Sequence, residues 1–294
     1  QAAPYMTRFT LDGRLGEMFS LPLFVCVGMM WMASAADLVT VFVSLELVTV
    51  SFYVLVAFTR KHAGALEAGV KYLILGALST GVLVFGMAWV YGATGVLGFA
   101  ELNAAVASGA VNKTALLFGA AFLLAGLGFK VAAVPFQMWV PDVYQGAPTP
   151  VTVFLSVGSK AAGFVVLTRV VDALAGPGSV IRAEMENALL LTGAATVLLG
   201  SLPAIFQTNV KRLLAYSSIS HAGFLLLALG CRAAVRTDLA PGGVVAFYLA
   251  TYLPMTVLAV ALLIQMRLNG RGQELQYFKG IAGKSPLFAL LMTL

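Results

Sequence analysis

Residues 126–160 read GLGFKVAAVPFQMWVPDVYQGAPTPVTVFLSVGSK. Lys130 sits deep in an apolar run that begins near Thr114, and Pro135, Pro141, Pro148 and Pro150 follow before a second apolar run carries Lys160. Irregular backbone at membrane depth is tolerated only where protein or water surrounds it, and broken helices of this kind build ion sites in transporters. A charge at the centre of a span costs roughly 2.5–3.5 kcal/mol even on the lenient insertion scale. Both lysines are therefore expected to face the interior of a helical bundle.

Working outward, the chain of 294 residues is 60% hydrophobic and 10% charged, with a mean hydropathy of +0.95. Soluble domains carry about 25% charged residues. The apolar runs are long and do not alternate, so the reading is an all-α integral membrane protein, a polytopic helical bundle with one proline-interrupted helix. The net charge of +6 does not point to nucleic acid, because most basic residues fall in short loops, where they set orientation. Cys26 and Cys231 lie in apolar spans without a CxxC pair and read as packing thiols. No Cys/His cluster has metal-ligand spacing, and no Gly-rich phosphate loop follows a strand.

Eight spans are expected, at about 19–36, 38–58, 72 into the nineties, 114–141, 149–171, 187–206, 213–231 and 243–266. A Gly- and Ala-rich connection holds Glu101 and Asn103, and 172–186 is polar. The chain begins at Gln1, shows no signal peptide, and ends inside an apolar run from Pro286 too short to span, so it is expected to be an internal piece of a longer protein. With the N-terminal segment and the loops after spans two, four, six and eight on one side, that side holds most of the 18 Lys and Arg, including Arg8, Arg14, Arg60, Lys61, Lys71, Lys211, Arg212 and Arg271. It should be cytoplasmic. Lys113, Arg169, Arg182, Arg232 and Arg236 fall opposite. SLELVTVSFYVLVAF (44–58) faintly echoes AYSSISHAGFLLLAL (215–229), which would equate span two with span seven in a repeated bundle.

Four ionisable residues lie within spans: Glu46, Lys130, Lys160 and His221. An intramembrane charge is by default a functional hypothesis. Structural alternatives stand beside it: a carboxylate bonded to a neighbouring helix, a snorkelling lysine, or a histidine packed neutral among Ser217, Ser218 and Ser220. Burial disfavours an ammonium and a nearby carboxylate restores it. A glutamate that approaches and leaves Lys130 would thus load and release a proton there, with Lys160 and His221 passing it on.

Three motifs carry a resemblance: SLELVTVSFYVLVAF, the run 126–164, and NVKRLLAYSSISHAGFLLLALG (209–230). The chain resembles the antiporter-like membrane subunits of respiratory complex I, the proton-pumping NADH:quinone oxidoreductase, which are related to Mrp-type sodium/proton antiporters. Within that family DVYQGAPTPVTVFLSVGSKAAGF (142–164) and the 277–294 tail are most similar to the subunit N group. The resemblance implies a fragment of a fourteen-helix fold with inverted five-helix repeats, the first over 19–171 with its broken helix at 114–141, the second over 187–294 and truncated. It places the family's proton-transfer glutamate on Glu46, the broken-helix lysine on Lys130, and the next lysine and histidine on Lys160 and His221. A further lysine at the expected exit falls beyond the chain. It also implies a non-redox subunit of a translocase in a bacterial cytoplasmic membrane, spanning the lipid bilayer beside other membrane subunits of a respiratory complex. NADH, FMN, iron–sulfur clusters and quinone would bind in partner subunits, with no cofactor or metal here and no nucleic acid. The alternatives are a subunit of a multi-subunit Mrp-type sodium/proton antiporter, a related redox complex with another electron donor, and a non-transporting scaffold bundle.

Overall fold

The computed structural model describes residues 15–60, 62–231, 241–268, 272–286 and 289–290. Arg8, Arg14, Lys61, Arg232, Arg236 and Arg271, used above for orientation, lie outside the described residues, as does the end of the last apolar run. The helices are α1 Leu15–Ser34, α2 Leu38–Val56, α3 Ala63–Thr94, α4 Phe99–Ala107, α5 Lys113–Val131, α6 Trp139–Gly146, α7 Thr149–Phe154, α8 Lys160–Leu174, α9 Arg182–Ala204, α10 Val210–Gly230, α11 Pro241–Leu268 and α12 Ile281–Lys284. A 3₁₀ turn, Phe136–Met138, joins α5 to α6, and a π-helical turn, Leu155–Ser159, joins α7 to α8. Among the described residues eight stretches are long and apolar enough to cross a membrane, α5–α6 forming one and α7–α8 another.

The expected spans are present, with informative differences. α3 starts at Ala63 rather than near Tyr72, because AGALEAGVK is built largely of helix formers although too polar for a hydropathy window. Lys71 is therefore on a helix and not in a loop. The stretch expected as a connection holds α4, a short amphipathic helix whose Leu102 and Val106, one turn apart, are buried. Polar caps begin several spans: Asp37 accepts from the Thr40 amide at 2.7 Å, Asn112 from Ala115 and Asn209 from Arg212. The Thr40 amide also holds the Asp37 carboxyl below the usual carboxylate range.

Contacts between loops follow the odd–even alternation of an up-and-down bundle. At one end Asp37 bridges Gly98, Arg169 donates to the Ala33 carbonyl at 2.6 Å, and Lys113 pairs with Glu184 at 2.7 Å. At the other, Asn209 bridges Glu274 and Asp142 joins Lys71 to Arg212.

Two helix pairs approach closely at glycine. A Cβ on Gly86 of α3 would stand 2.7 Å from the Leu123 amide nitrogen of α5, and one on Gly119 2.8 Å from that of Val90. In the pair α9–α10, a Cβ on Gly223 would lie 2.6 Å from the Val197 nitrogen. Lipid offers no hydrophobic drive between helices, so this close backbone packing is what holds them. Large side chains such as Leu191, Phe206 and Phe247 point outward and are largely exposed, as a lipid-facing surface requires.

Gly86→Ala and Gly223→Ala should each cost roughly 1–3 kcal/mol and lower the melting temperature in detergent. Gly81→Ala and Gly92→Ala, whose Cβ would meet nothing within 4 Å, should melt like the parent. Equal melting of all four would refute backbone-to-backbone packing.

Candidate functional site

The break between α5 and α6 sets the site. α5 stops when Ala132 turns left-handed at φ 66°, and every backbone group of the interruption needs a partner away from water. The amides of Ala132 and Ala133 turn back to Phe129 and Gly128. The Trp139 indole donates to the Phe129 carbonyl at 2.9 Å, and the Val134 amide donates across to Thr196 of α9 at 2.9 Å. Trp139 is wedged beside Tyr72 and Phe129, with ring centroids 4.9 and 5.1 Å away. This aromatic knot fixes the entry of α6 between α3 and α10.

Lys130 lies in the last turn of α5, where the helix dipole favours a cation. It is 8% exposed and donates to Thr49 Oγ1 of α2 at 2.5 Å. Glu46 is one turn from Thr49 on α2 and accepts from Thr80 of α3 at 2.7 Å. Glu46 thus shares a face of α2 with Thr49, the partner of Lys130, yet the glutamate and the lysine are each held by a threonine hydroxyl. No ion pair joins them among the described residues.

A small cavity adjoins the Lys130 ammonium, lined by Met32, Leu45, Thr49, Leu127, Ser159 and Gly163 among others, with about 10 Å³ of water-accessible space. That is room for about one water, and Lys130, Thr49 and Ser159 are polar groups that could bind it. The cavity reaches from Lys130 to the π-helical turn that ends at Ser159, immediately before Lys160. Such turns inside α-helices often mark functional positions.

Lys160 is 2% exposed and donates to Ser218 of α10, to its carbonyl at 2.5 Å and to its hydroxyl. Tyr252 of α11 donates to the same hydroxyl at 2.9 Å. His221, one turn beyond Ser218, meets the Tyr248 hydroxyl through Nδ1 at 2.6 Å, and its ring centroid is 4.9 Å from that of Tyr252. The structure thus gathers the four residues singled out from sequence into two linked groups, Glu46–Lys130 and Lys160–His221. Sequence reading named Ser218 only as a neighbour of His221, and it did not single out Thr49, Thr80, Tyr248 or Tyr252. Thr49 stands three residues from Glu46 and Ser218 three from His221, a spacing that shares a helix face. Tyr248 and Tyr252 carry the same signal four apart on α11.

A second charged group pins α6 from outside. Asp142 accepts from Lys71 of α3 and from Arg212 of α10, each at 2.7 Å. Lys211, 2% exposed, donates to the carbonyls of Ala147 at 2.6 Å and Gln145 at 3.1 Å, closing the carbonyl end of α6. Among the described residues no three His, Cys, Asp or Glu side chains gather as a metal site.

The family model described as NADH:quinone oxidoreductase/Mrp antiporter, TM, matches residues 35–294. NADH-quinone oxidoreductase subunit N of Herminiimonas arsenicoxydans is 42% identical over 98% of this chain and 58% of its own length. A chain of respiratory complex I from Thermus thermophilus, solved with bound aureothin, superposes with a TM-score of 0.75 at 37% identity, covering 93% of this chain and 57% of that one. A chain of the archaeal membrane-bound sulfane sulfur reductase superposes with a TM-score of 0.81 at 28% identity, over 93% and 54%. The chain spans about half the length of the curated relatives it matches.

The Asp142 carboxylate is partly exposed, so its two charged hydrogen bonds are worth less than buried ones. Asp142→Ala should cost roughly 1–2 kcal/mol, measured by thermal melting in detergent, and Asp142→Asn should recover part of it. Unchanged melting of the Ala variant would mean the clamp does not hold α6.

Proposed function

The chain belongs to the NADH:quinone oxidoreductase/Mrp antiporter membrane family, and from that premise we propose that it is the proton-translocating part of a membrane-arm subunit of an NADH:quinone oxidoreductase. The observation that carries this reading is the pair of buried lysines, Lys130 and Lys160, each held by a hydroxyl, with a cavity at Lys130 that reaches Ser159, the residue before Lys160. The redox chemistry belongs to partner subunits that hold flavin, iron–sulfur clusters and quinone, and the protein sits in a bacterial cytoplasmic membrane with its Lys- and Arg-rich loops inside. The two parts, 19–171 and 187–294, are read as inverted repeats of one helical unit.

Glu46 is the switch in this reading. Released from Thr80, its carboxylate swings toward Lys130, which is bound to Thr49 one turn along the Glu46 face of α2. Two charges about 4 Å apart at an effective dielectric of about 20 attract by roughly 4 kcal/mol. Moving one charge against the membrane potential requires about 2.3 kcal/mol per 100 mV, so the approach is sufficient to load Lys130 and the retreat to discharge it. The proton then passes across the cavity beside Ser159 toward Lys160, and from there to His221. The hydroxyls accept from the ammonium in one state and donate to the free amine in the other, so the lysines keep a partner throughout.

The test uses the full-length protein in its complex, purified gently from its native membrane. NADH oxidation with quinone should co-purify with flavin and iron–sulfur absorbance. A colourless assembly that moves protons in exchange for sodium would assign the chain to the antiporter branch instead. In vesicles, Lys130→Ala and Glu46→Gln should leave the complex assembled and reduce NADH-driven proton uptake by about a hundredfold or more, the lower end for losing a proton-transfer group. Glu46→Asp should retain part of the activity. Full uptake in the Lys130→Ala complex would end the proposal.

A further inference from the structure

Between Lys160 and His221 one side chain touches both ends. The Tyr252 hydroxyl donates to Ser218 Oγ at 2.9 Å, the same oxygen that accepts from Lys160. Its ring lies 4.9 Å from the His221 imidazole, and the Lys160 ammonium stands 6.0 Å from the ring centroid. Tyr252 is 5% exposed and Ser218 2%, so both are shielded from bulk water. The arrangement repeats along the antiparallel pair α10–α11: Ser218 meets Tyr252, and one turn on, His221 meets Tyr248. Two hydroxyl rungs join the two helices. Tyr144 of α6 also forms a hydrogen bond with Ser218, so Lys160, His221, Tyr144, Tyr248 and Tyr252 are the titratable groups around this point among the described residues.

We propose that Tyr252 is a positioning residue for proton exchange between Lys160 and His221, its hydroxyl fixing the Ser218 acceptor for the ammonium and its ring fixing the imidazole. This rests on the proton-transfer reading of Lys160 given above. The exchange balances without any co-reactant: the Lys160 ammonium loses one proton and becomes the amine, and the His221 imidazole gains one and becomes imidazolium. Ser218 ends as it began, having received one hydrogen and passed on another. Lys160 and Tyr252 both donate to Ser218 Oγ, so the one hydrogen the serine can pass on is its own. Without the tyrosine hydroxyl the serine keeps Lys160 and Tyr144 as partners but loses the second donor that orders its hydrogen.

The experiment compares Tyr252→Phe, Ser218→Ala, the double variant and Lys160→Ala, each in the full complex in membrane vesicles and each checked for assembly on a native gel. Tyr252→Phe keeps the ring beside His221 and removes only the hydroxyl. It should lower the initial rate of NADH-driven proton uptake roughly three- to tenfold, the size expected for one lost hydrogen bond, and should displace the pH profile of that rate. The double variant should be no slower than Ser218→Ala, since both lie on one path. Parent-like rate and pH profile in Tyr252→Phe, with Lys160→Ala inactive, overturns the role of Tyr252 and leaves the proton-transfer reading standing. Additive losses in the double variant also overturn it, by placing the two hydroxyls on separate paths. Parent-like uptake in Lys160→Ala overturns both.

Discussion

The carbonyl of Phe129 is where the bundle meets its hardest constraint. A helix that stops within a span leaves its last carbonyls without amide partners, and each one left unpaired would cost several kcal/mol. The Phe129 carbonyl keeps one long amide bond from Ala132. The indole of Trp139 reaches back from the far side of the break to add a shorter one, and the aromatic knot surrounds that bond. Once Trp139 is placed, α6 has one direction open to it, between α3 and α10. There Lys211 closes the carbonyls at its end and Asp142 ties it on both sides. The break thus finds partners for the amides of Ala132, Ala133 and Val134 and for the carbonyl of Phe129.

The same constraint explains the company of the two lysines. An ammonium fixed to a buried carboxylate is stable but static, and separating such a pair leaves an uncompensated charge. A threonine or serine hydroxyl is a lesser partner with a different virtue, since it accepts from an ammonium and donates to an amine by turning its hydrogen. Lys130 with Thr49 and Lys160 with Ser218 therefore stand in sites that accommodate either protonation state. Glu46, held apart on Thr80, supplies the charge that selects between them in our reading. Each residue lies on a helix tightly packed through its neighbours, so the distances that decide the exchange are set by the bundle and not by mobile loops.

Much of this was open to a reader of the chain. The order of the eight spans follows from hydropathy alone, because lipid admits few alternatives. The position of the break follows from four prolines between two lysines. Glu46, Lys130, Lys160 and His221 stand out because charge in an apolar run is rare. What hydropathy misses is what it does not measure. The first turns of α3 carry Glu67 and Lys71 and so fall below its threshold, and α4 is apolar on one face only. Lys211 and Arg212 look like loop charges until α6 is placed beside them. Tyr248 and Tyr252 resemble any aromatic residues of a membrane helix, and their role is visible only when α10 supplies Ser218 and His221.

The π-helical turn at Leu155–Ser159 has a further consequence for comparing members of this family. Such a turn is an α-helix holding one residue too many, and on a regular helical wheel the sequence after it is out of phase by about 100°. Thr152 before it and Lys160 after it therefore belong to two different angular frames. A relative with one residue fewer here would run as plain α-helix and keep the same face of α8 toward Ser218. Sequence alignments across positions 155–159 thus carry more meaning than their length suggests. An alignment without that gap would pair Lys160 with a residue on another face.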